Sequence, residues 1–127
     1  MGKPSVGLSG ARKKATKLSF DRAAFTLVVC MDRKSAKCCS AEAMSRTWRR
    51  IKECSKEFRL RGQVILRIKS QCIGVCRGGP IIGVFPDGIW YGACTPAVVD
   101  RIFDDHLACG RVLVDHVIAC PTDQSNR

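Results

Sequence analysis

The side chains best suited to chemistry in this 127-residue sequence are its nine cysteines, and two of them are set apart by their context. Cys72 and Cys76 are separated by three residues and run straight into Gly78-Gly79-Pro80. So much glycine, closed by a proline, is a poor helix and reads as a loop with exposed backbone amides. Two soft thiolates on such a loop suit a thiophilic metal, and four-coordinate iron or zinc needs two more. A disulfide scaffold is the competing use of the cysteines. The count is odd, however, and 46% of the chain is hydrophobic, so metal-bound thiolates in a reducing compartment, the cytoplasm, fit better.

The elements that must position these thiols follow from periodicity. AFTLVVC (24–30) has the length and β-branched content of a buried strand, with Cys30 at its C-terminal end. After a polar stretch closed by Cys38 and Cys39, Ser40 caps a predicted amphipathic helix over about 41–60, whose apolar stripe is Met44, Trp48, Ile51, Cys54 and Phe58. Arg46, Arg49, Arg50, Lys52 and Lys56 mostly fall off that stripe, as a solvated face requires. QVILRIKS (63–70) reads as a second strand leading into Cys72. IIGVF (81–85) and IWYGA (89–93) flank Pro86-Asp87-Gly88, a turn sequence that predicts a hairpin. Thr95 and Pro96 open a second helix that Gly110 stops, and VLVDHVIA (112–119) is the last expected strand.

The order β, α, β, loop, hairpin, α, β packs as one sheet flanked by helices, an α/β sandwich of thioredoxin-like size. The length suits one domain with a real core. Residues 1–22 are rich in Gly, Ser and Lys and short of large apolar side chains, so they read as a disordered basic tail. The domain is expected over 23–120, with a polar tail over 121–127. No apolar run approaches membrane-spanning length, and the N-terminus has no signal-peptide core.

The net charge of +11 is uneven. Residues 31–77 hold thirteen Lys/Arg against four acids, whereas 78–120 hold two against five. The basic half is thus the half with the clustered cysteines. Such a balance serves nucleic acid, an acidic protein partner, a buried anion or simply a solvated surface.

If the first two strands are parallel neighbours, their C-terminal ends lie together, where α/β folds place ligands. Cys30, Cys38 or Cys39, and Cys72 with Cys76 would then converge. Zinc usually draws on tighter cysteine knuckles than the spacing from Cys30 to Cys38 gives. A two-iron, two-sulfide cluster is wider and tolerates looser spacing.

The segment CIGVCRGGPIIGVFPDGIWYGACTP (72–96), followed by a helix ending in DDHLACGRVLVDHV, resembles the thioredoxin-like, or Shethna-type, [2Fe-2S] ferredoxins. Roughly residues 24–118 take part, including a cysteine that closes the first strand and Lys37-Cys38-Cys39 before a Trp-bearing helix. The resemblance implies a thioredoxin-like fold, a mixed central sheet flanked by two helices, and a [2Fe-2S] cluster on Cys30, Cys39, Cys72 and Cys76. Cys39 is preferred to Cys38 because its spacing to Trp48 and Ile51 better matches the family. It further implies an iron-sulfur, metal-binding electron-transport protein that is not an enzyme, with redox proteins as partners, acidic ones given this chain's charge, and a homodimer. The first inter-ligand loop is shorter than usual, and the chain is far more basic than most members. A bound cluster is a net anion, which Arg33, Lys34, Lys37 and Arg77 and the amides of 74–79 would offset.

The principal rival is a zinc-stabilised basic module for nucleic acid or an acidic protein. Aromatic interleaving in its basic segments is sparse, with Trp48 and Phe58 alone, which weighs against nucleic acid. A thiol-disulfide enzyme would want C-x2-C opening a helix, not C-x3-C before Gly-Gly-Pro. Cys54, Cys94, Cys109 and Cys120 read as small core residues, Trp90 and Tyr91 as hairpin and core aromatics, and His106 as a partner of a helix C-terminus. His116 has no evident acid or nucleophile beside it.

Overall fold

A computed structural model describes residues 7–31, 40–71, 75 and 77–121. Its elements are α1 (Leu8–Lys17), β1 (Ala23–Cys30), α2 (Ala41–Leu60), β2 (Val64–Ser70), β3 (Ile82–Phe85), β4 (Ile89–Tyr91), α3 (Pro96–Arg101) and β5 (Val117–Ala119). The strands form one five-stranded mixed sheet in the order β2-β1-β3-β4-β5. β1 and β2 are parallel, and the remaining neighbours are antiparallel.

Alternation along the strands sends one set of side chains into the core. Leu27 and Val29 of β1, Ile65 of β2, Ile82 and Val84 of β3, and Tyr91 of β4 join Ile51, Cys54 and Phe58 of α2 and Val98 and Val99 of α3 in a single cluster. Both helices therefore cover the same sheet face. The intervening residues Val28, Leu66, Ile68, Phe85 and Trp90 lie on the opposite face, and none is fully buried. Trp90 spreads over Gly83, where an added Cβ would come within 2.7 Å of its ring.

Local signals explain the ends of the elements. Ser40 Oγ accepts from the Ala43 amide at 3.0 Å and starts α2. Thr95 Oγ1 does the same for the Val98 amide, with Pro96 at the first helical position. Gly88 supplies the positive φ of the hairpin turn.

Three expectations are corrected. The stretch read as a disordered tail contains α1, which has no buried residue and is held by local backbone bonds, with Lys14 and Lys17 in the last turn favourable to its dipole. Having no apolar stripe, it left no periodic signal. The second helix does not stay α-helical: from Ile102 to Leu107 it widens into a π-helical turn. The expected strand over 112–119 is a short 3-10 turn, Val114–His116, followed by β5. The terminal tail expected over 121–127 falls outside the described residues from 122 onward.

Candidate metal centre

The parallel pair is in register to its end, where Cys30 stands opposite Ser70. The Met31 amide donates to Ser70 O at 2.8 Å, and the Cys30 amide donates to Ile81 O at 3.1 Å. Cys30 is thus held between β2 and the residue that precedes β3, and the residue is buried at 3% exposure. Gln71 follows Ser70 directly, so the chain enters the C-x3-C loop at the Cys30 end of the sheet. Ser70 Oγ also donates to Val29 O, at 3.4 Å.

The far side of that loop is clamped to the segment that follows β4. Gly78 O accepts from the Ala93 amide at 2.6 Å, and Pro80 O accepts from the Cys94 amide at 3.0 Å. Gly78 has φ +70°, which favours glycine. Gly92 is required by space: a Cβ there would stand 3.0 Å from Gly78 O and 2.9 Å from Ile118 Cγ2. Thr47 of α2 donates its hydroxyl to Cys94 O at 2.5 Å, tying the clamp to the helix layer.

Of the residues expected to bind metal, Cys30 is placed at this junction, whereas Cys39, its rival Cys38, Cys72 and Cys76 lie outside the described residues. So do Arg33, Lys34, Lys37 and Gly74. Arg77, Gly78 and Gly79 are described and supply a cation and backbone amides beside the loop. Among the described residues no three His, Cys, Asp or Glu side chains are grouped as metal ligands. The donor chemistry at the junction, a buried cysteine beside a glycine-rich loop end, fits a thiophilic centre completed by cysteines from the two flanking segments.

The other cysteines divide. Cys54 and Cys94 are buried core residues as expected, and burial pushes each thiol up to about 12. Cys54 also points its thiol at Asp100 Oδ1 at 3.6 Å, beside the Arg50–Asp100 pair at 2.5 Å. That pairing raises the Arg50 guanidinium above its ordinary value. Cys109 and Cys120 are exposed, contrary to expectation: Cys109 is the last helical residue before Gly110, and Cys120 follows the end of β5.

One polar constellation escaped the sequence reading. Tyr91, fully buried, and His106, 2% exposed, form a chain with Asp87. His106 Nε2 lies 2.6 Å from Asp87 Oδ2, and Nδ1 lies 2.7 Å from the Tyr91 hydroxyl. A carboxylate only accepts, so in the neutral ring Nε2 carries the proton and Tyr91 donates to Nδ1. The Leu113 amide in turn donates to the Tyr91 oxygen at 3.2 Å. His106 is therefore a core connector between the hairpin turn, β4 and the segment before β5, not a dipole partner. His116 sits against Gly92 O at 3.0 Å and Asp115 at 3.7 Å.

A mixed five-stranded sheet with two helices on one face and a cysteine at the end of the parallel pair is a thioredoxin-like arrangement, and comparison with solved structures shows the same fold. The thioredoxin-like [2Fe-2S] ferredoxin of Aquifex aeolicus superposes with a TM-score of 0.70 at 23% identity, covering 80% of this chain and 96% of that one. Its wild-type form solved at 1.5 Å gives 0.59 at 25% identity, covering 76% and 98%. In sequence the chain is similar to a 2Fe-2S ferredoxin of Clostridium pasteurianum, 43% identical over 42 residues, which is 33% of this chain and 41% of that protein. It is also similar to one of Aquifex aeolicus (strain VF5), 42% identical over 48 residues, 38% and 43% of the two chains. These matches span about two fifths of the length of the curated relatives. No family model matches the chain.

Proposed function

We propose that this protein is a one-electron carrier whose [2Fe-2S] cluster is held by Cys30, Cys39, Cys72 and Cys76. The observation that carries the reading is the register of β1 with β2, which sets Cys30 opposite Ser70, two residues before Cys72. The likeness to 2Fe-2S ferredoxins in both sequence and fold supports it. When bound, the cluster supplies a one-electron redox couple. The chain's own part is to hold and tune: Cys30 provides a thiolate from a rigid strand end, Gly78 and Gly79 offer amide donors, and Arg77 adds positive charge. The role we assign is electron transfer and not turnover of a substrate, which the likeness to ferredoxins supports.

Redox proteins with acidic surfaces are the proposed partners, and the excess of Lys and Arg over 31–77 supports that choice. The proposed homodimer would use the sheet face without helices, where Val28, Ile68 and Trp90 are incompletely covered. A cytoplasmic location suits a chain whose thiols must stay reduced. Among the described residues no helix is long and apolar enough to cross a membrane.

The test is composition and colour. The purified protein should be red-brown and contain about two irons and two sulfides per chain. Replacing Cys30, Cys39, Cys72 or Cys76 with alanine should bleach it, and Cys54→Ala should not. A colourless protein with one bound zinc refutes the reading in favour of a zinc-stabilised module. Colour kept by Cys39→Ala and lost by Cys38→Ala would move the ligand by one residue.

A further inference from the structure

β2 is the edge strand of the sheet, and its helix-side face turns toward α2. Two clefts open along this seam. One, about 350 Å³, is lined by Lys52, Ser55, Lys56, Arg59, Ile65 and Arg67; the other, about 310 Å³, by Met31, Ser45, Trp48, Arg49, Lys52 and Lys69. They share Lys52 and make one groove. Arg49, Lys52, Lys56 and Arg59 fall within about 80° of arc on α2 at 100° per residue, while Glu42, Glu53 and Glu57 fall outside it. Arg67 and Lys69, two residues apart on β2, face them.

None of these six cations makes an ion pair among the described residues; the α2 acids Glu42 and Glu53 pair with Arg46 and Arg50. Six like charges along one seam repel one another and weaken the fold locally. Ser55 lines the groove floor, and its buried Oγ has no hydrogen-bond partner among the described residues. At its upper end the groove is walled by Met31, the residue after Cys30. An occupant would therefore reach the edge of the proposed cluster site.

We propose that this α2–β2 groove is where an acidic partner protein docks, its carboxylates matching the six cations and its redox centre brought to the Cys30 end of the sheet. This rests on the electron-carrier reading for the partner's role, while the location rests on the groove alone. Nucleic acid fits less well. Trp48 is the one aromatic lining the two clefts, and it already carries Lys69 Nζ 4.9 Å and the Arg67 guanidinium 5.7 Å from its ring centroid, so a base would have to compete with these cations to stack on it. Cations that meet a folded acidic surface mainly accelerate encounter and select the partner, which is what a transient electron carrier needs.

The test uses the purified full chain and a labelled twelve-residue polyglutamate peptide, with a single-stranded oligonucleotide of equal charge as competitor, followed by fluorescence anisotropy. Lys52→Glu with Lys56→Glu should weaken peptide binding about tenfold or more. Lys13→Glu with Lys14→Glu, the same charge change on α1, should alter it less than about twofold if location and not net charge decides. Binding should also fall steeply with salt. Equal losses from the two pairs, absence of peptide binding at low salt, or a clear preference for the oligonucleotide would each overturn the proposal. The visible spectrum of the same samples separates the two readings: a colourless chain that still binds through Lys52 and Lys56 removes the electron carrier and keeps the groove. A coloured chain without this preference does the reverse.

Discussion

Replacing Gly92 with alanine tests whether the segment after β4 holds the cysteine loop in place. The added Cβ would lie 3.0 Å from Gly78 O and 2.9 Å from Ile118 Cγ2, both closer than ordinary contact. Ile118 is exposed near the end of β5 and can turn aside. Gly78 O cannot do so freely, because it accepts the Ala93 amide at 2.6 Å. Its retreat by a few tenths of an ångström stretches that bond. Overpacking of this kind costs about 1–3 kcal/mol, and a weakened hydrogen bond adds up to about 1 kcal/mol. A loss near 2 kcal/mol lowers the melting temperature by roughly 6–12 °C for a domain of this size. The variant should also release iron to a chelator faster, since Gly78 lies two residues beyond Cys76. Gly88→Ala is the matched control: its φ of +72° and the 3.2 Å approach of a Cβ to Pro121 strain the hairpin turn, at the other end of β3 and β4 from the loop, so it should cost stability without changing iron release. The reasoning fails if Gly92→Ala melts with the parent, or if the two variants release iron at the same rate.

Two further outcomes follow from buried groups. Tyr91→Phe leaves the Leu113 amide and His106 Nδ1 without their shared partner, at a cost of about 1–3 kcal/mol; urea unfolding should show a lower midpoint, and an unchanged one would mean the chain from Asp87 to Leu113 contributes nothing. Cys54 and Cys94, whose burial pushes them up to about 12, stay protonated at pH 8, so brief iodoacetamide treatment followed by mass spectrometry should label Cys109 and Cys120 and spare these two. Rapid labelling of Cys54 or Cys94 in the native protein would contradict their enclosure.

Where one interaction decides an element, the sequence announces it. Ser40 and the stripe from Met44 to Phe58 are local, and the helix expected over about 41–60 is Ala41–Leu60. The same holds for Pro86-Asp87-Gly88, whose hairpin joins β3 to β4. Cys30 at a strand end was legible because a short β-branched run has an unambiguous terminus. What stayed hidden depends on distance along the chain. Tyr91 and His106 meet across 15 residues and His106 and Asp87 across 19, and no periodicity encodes such a pairing. The cations of α2 read as a solvated face until β2 set Arg67 and Lys69 against them. α1 lacked any apolar pattern, and β5 is too short to be distinguished from the turn before it.

The parallel pairing of β1 with β2 also dictates when the centre can be built. Cys30 and Ser70 become neighbours only after the twenty residues of α2 have folded back between them, so a growing chain that has exposed Cys30 still has no site. With the proposed ligands, loading is a late event in the life of the molecule, following the β1-α2-β2 closure and sealing it, because a group bound by both strand ends opposes their separation. A chain starved of iron would close its first two strands and lack only that added hold. Completion of the fold then comes first, and maturation of the centre second.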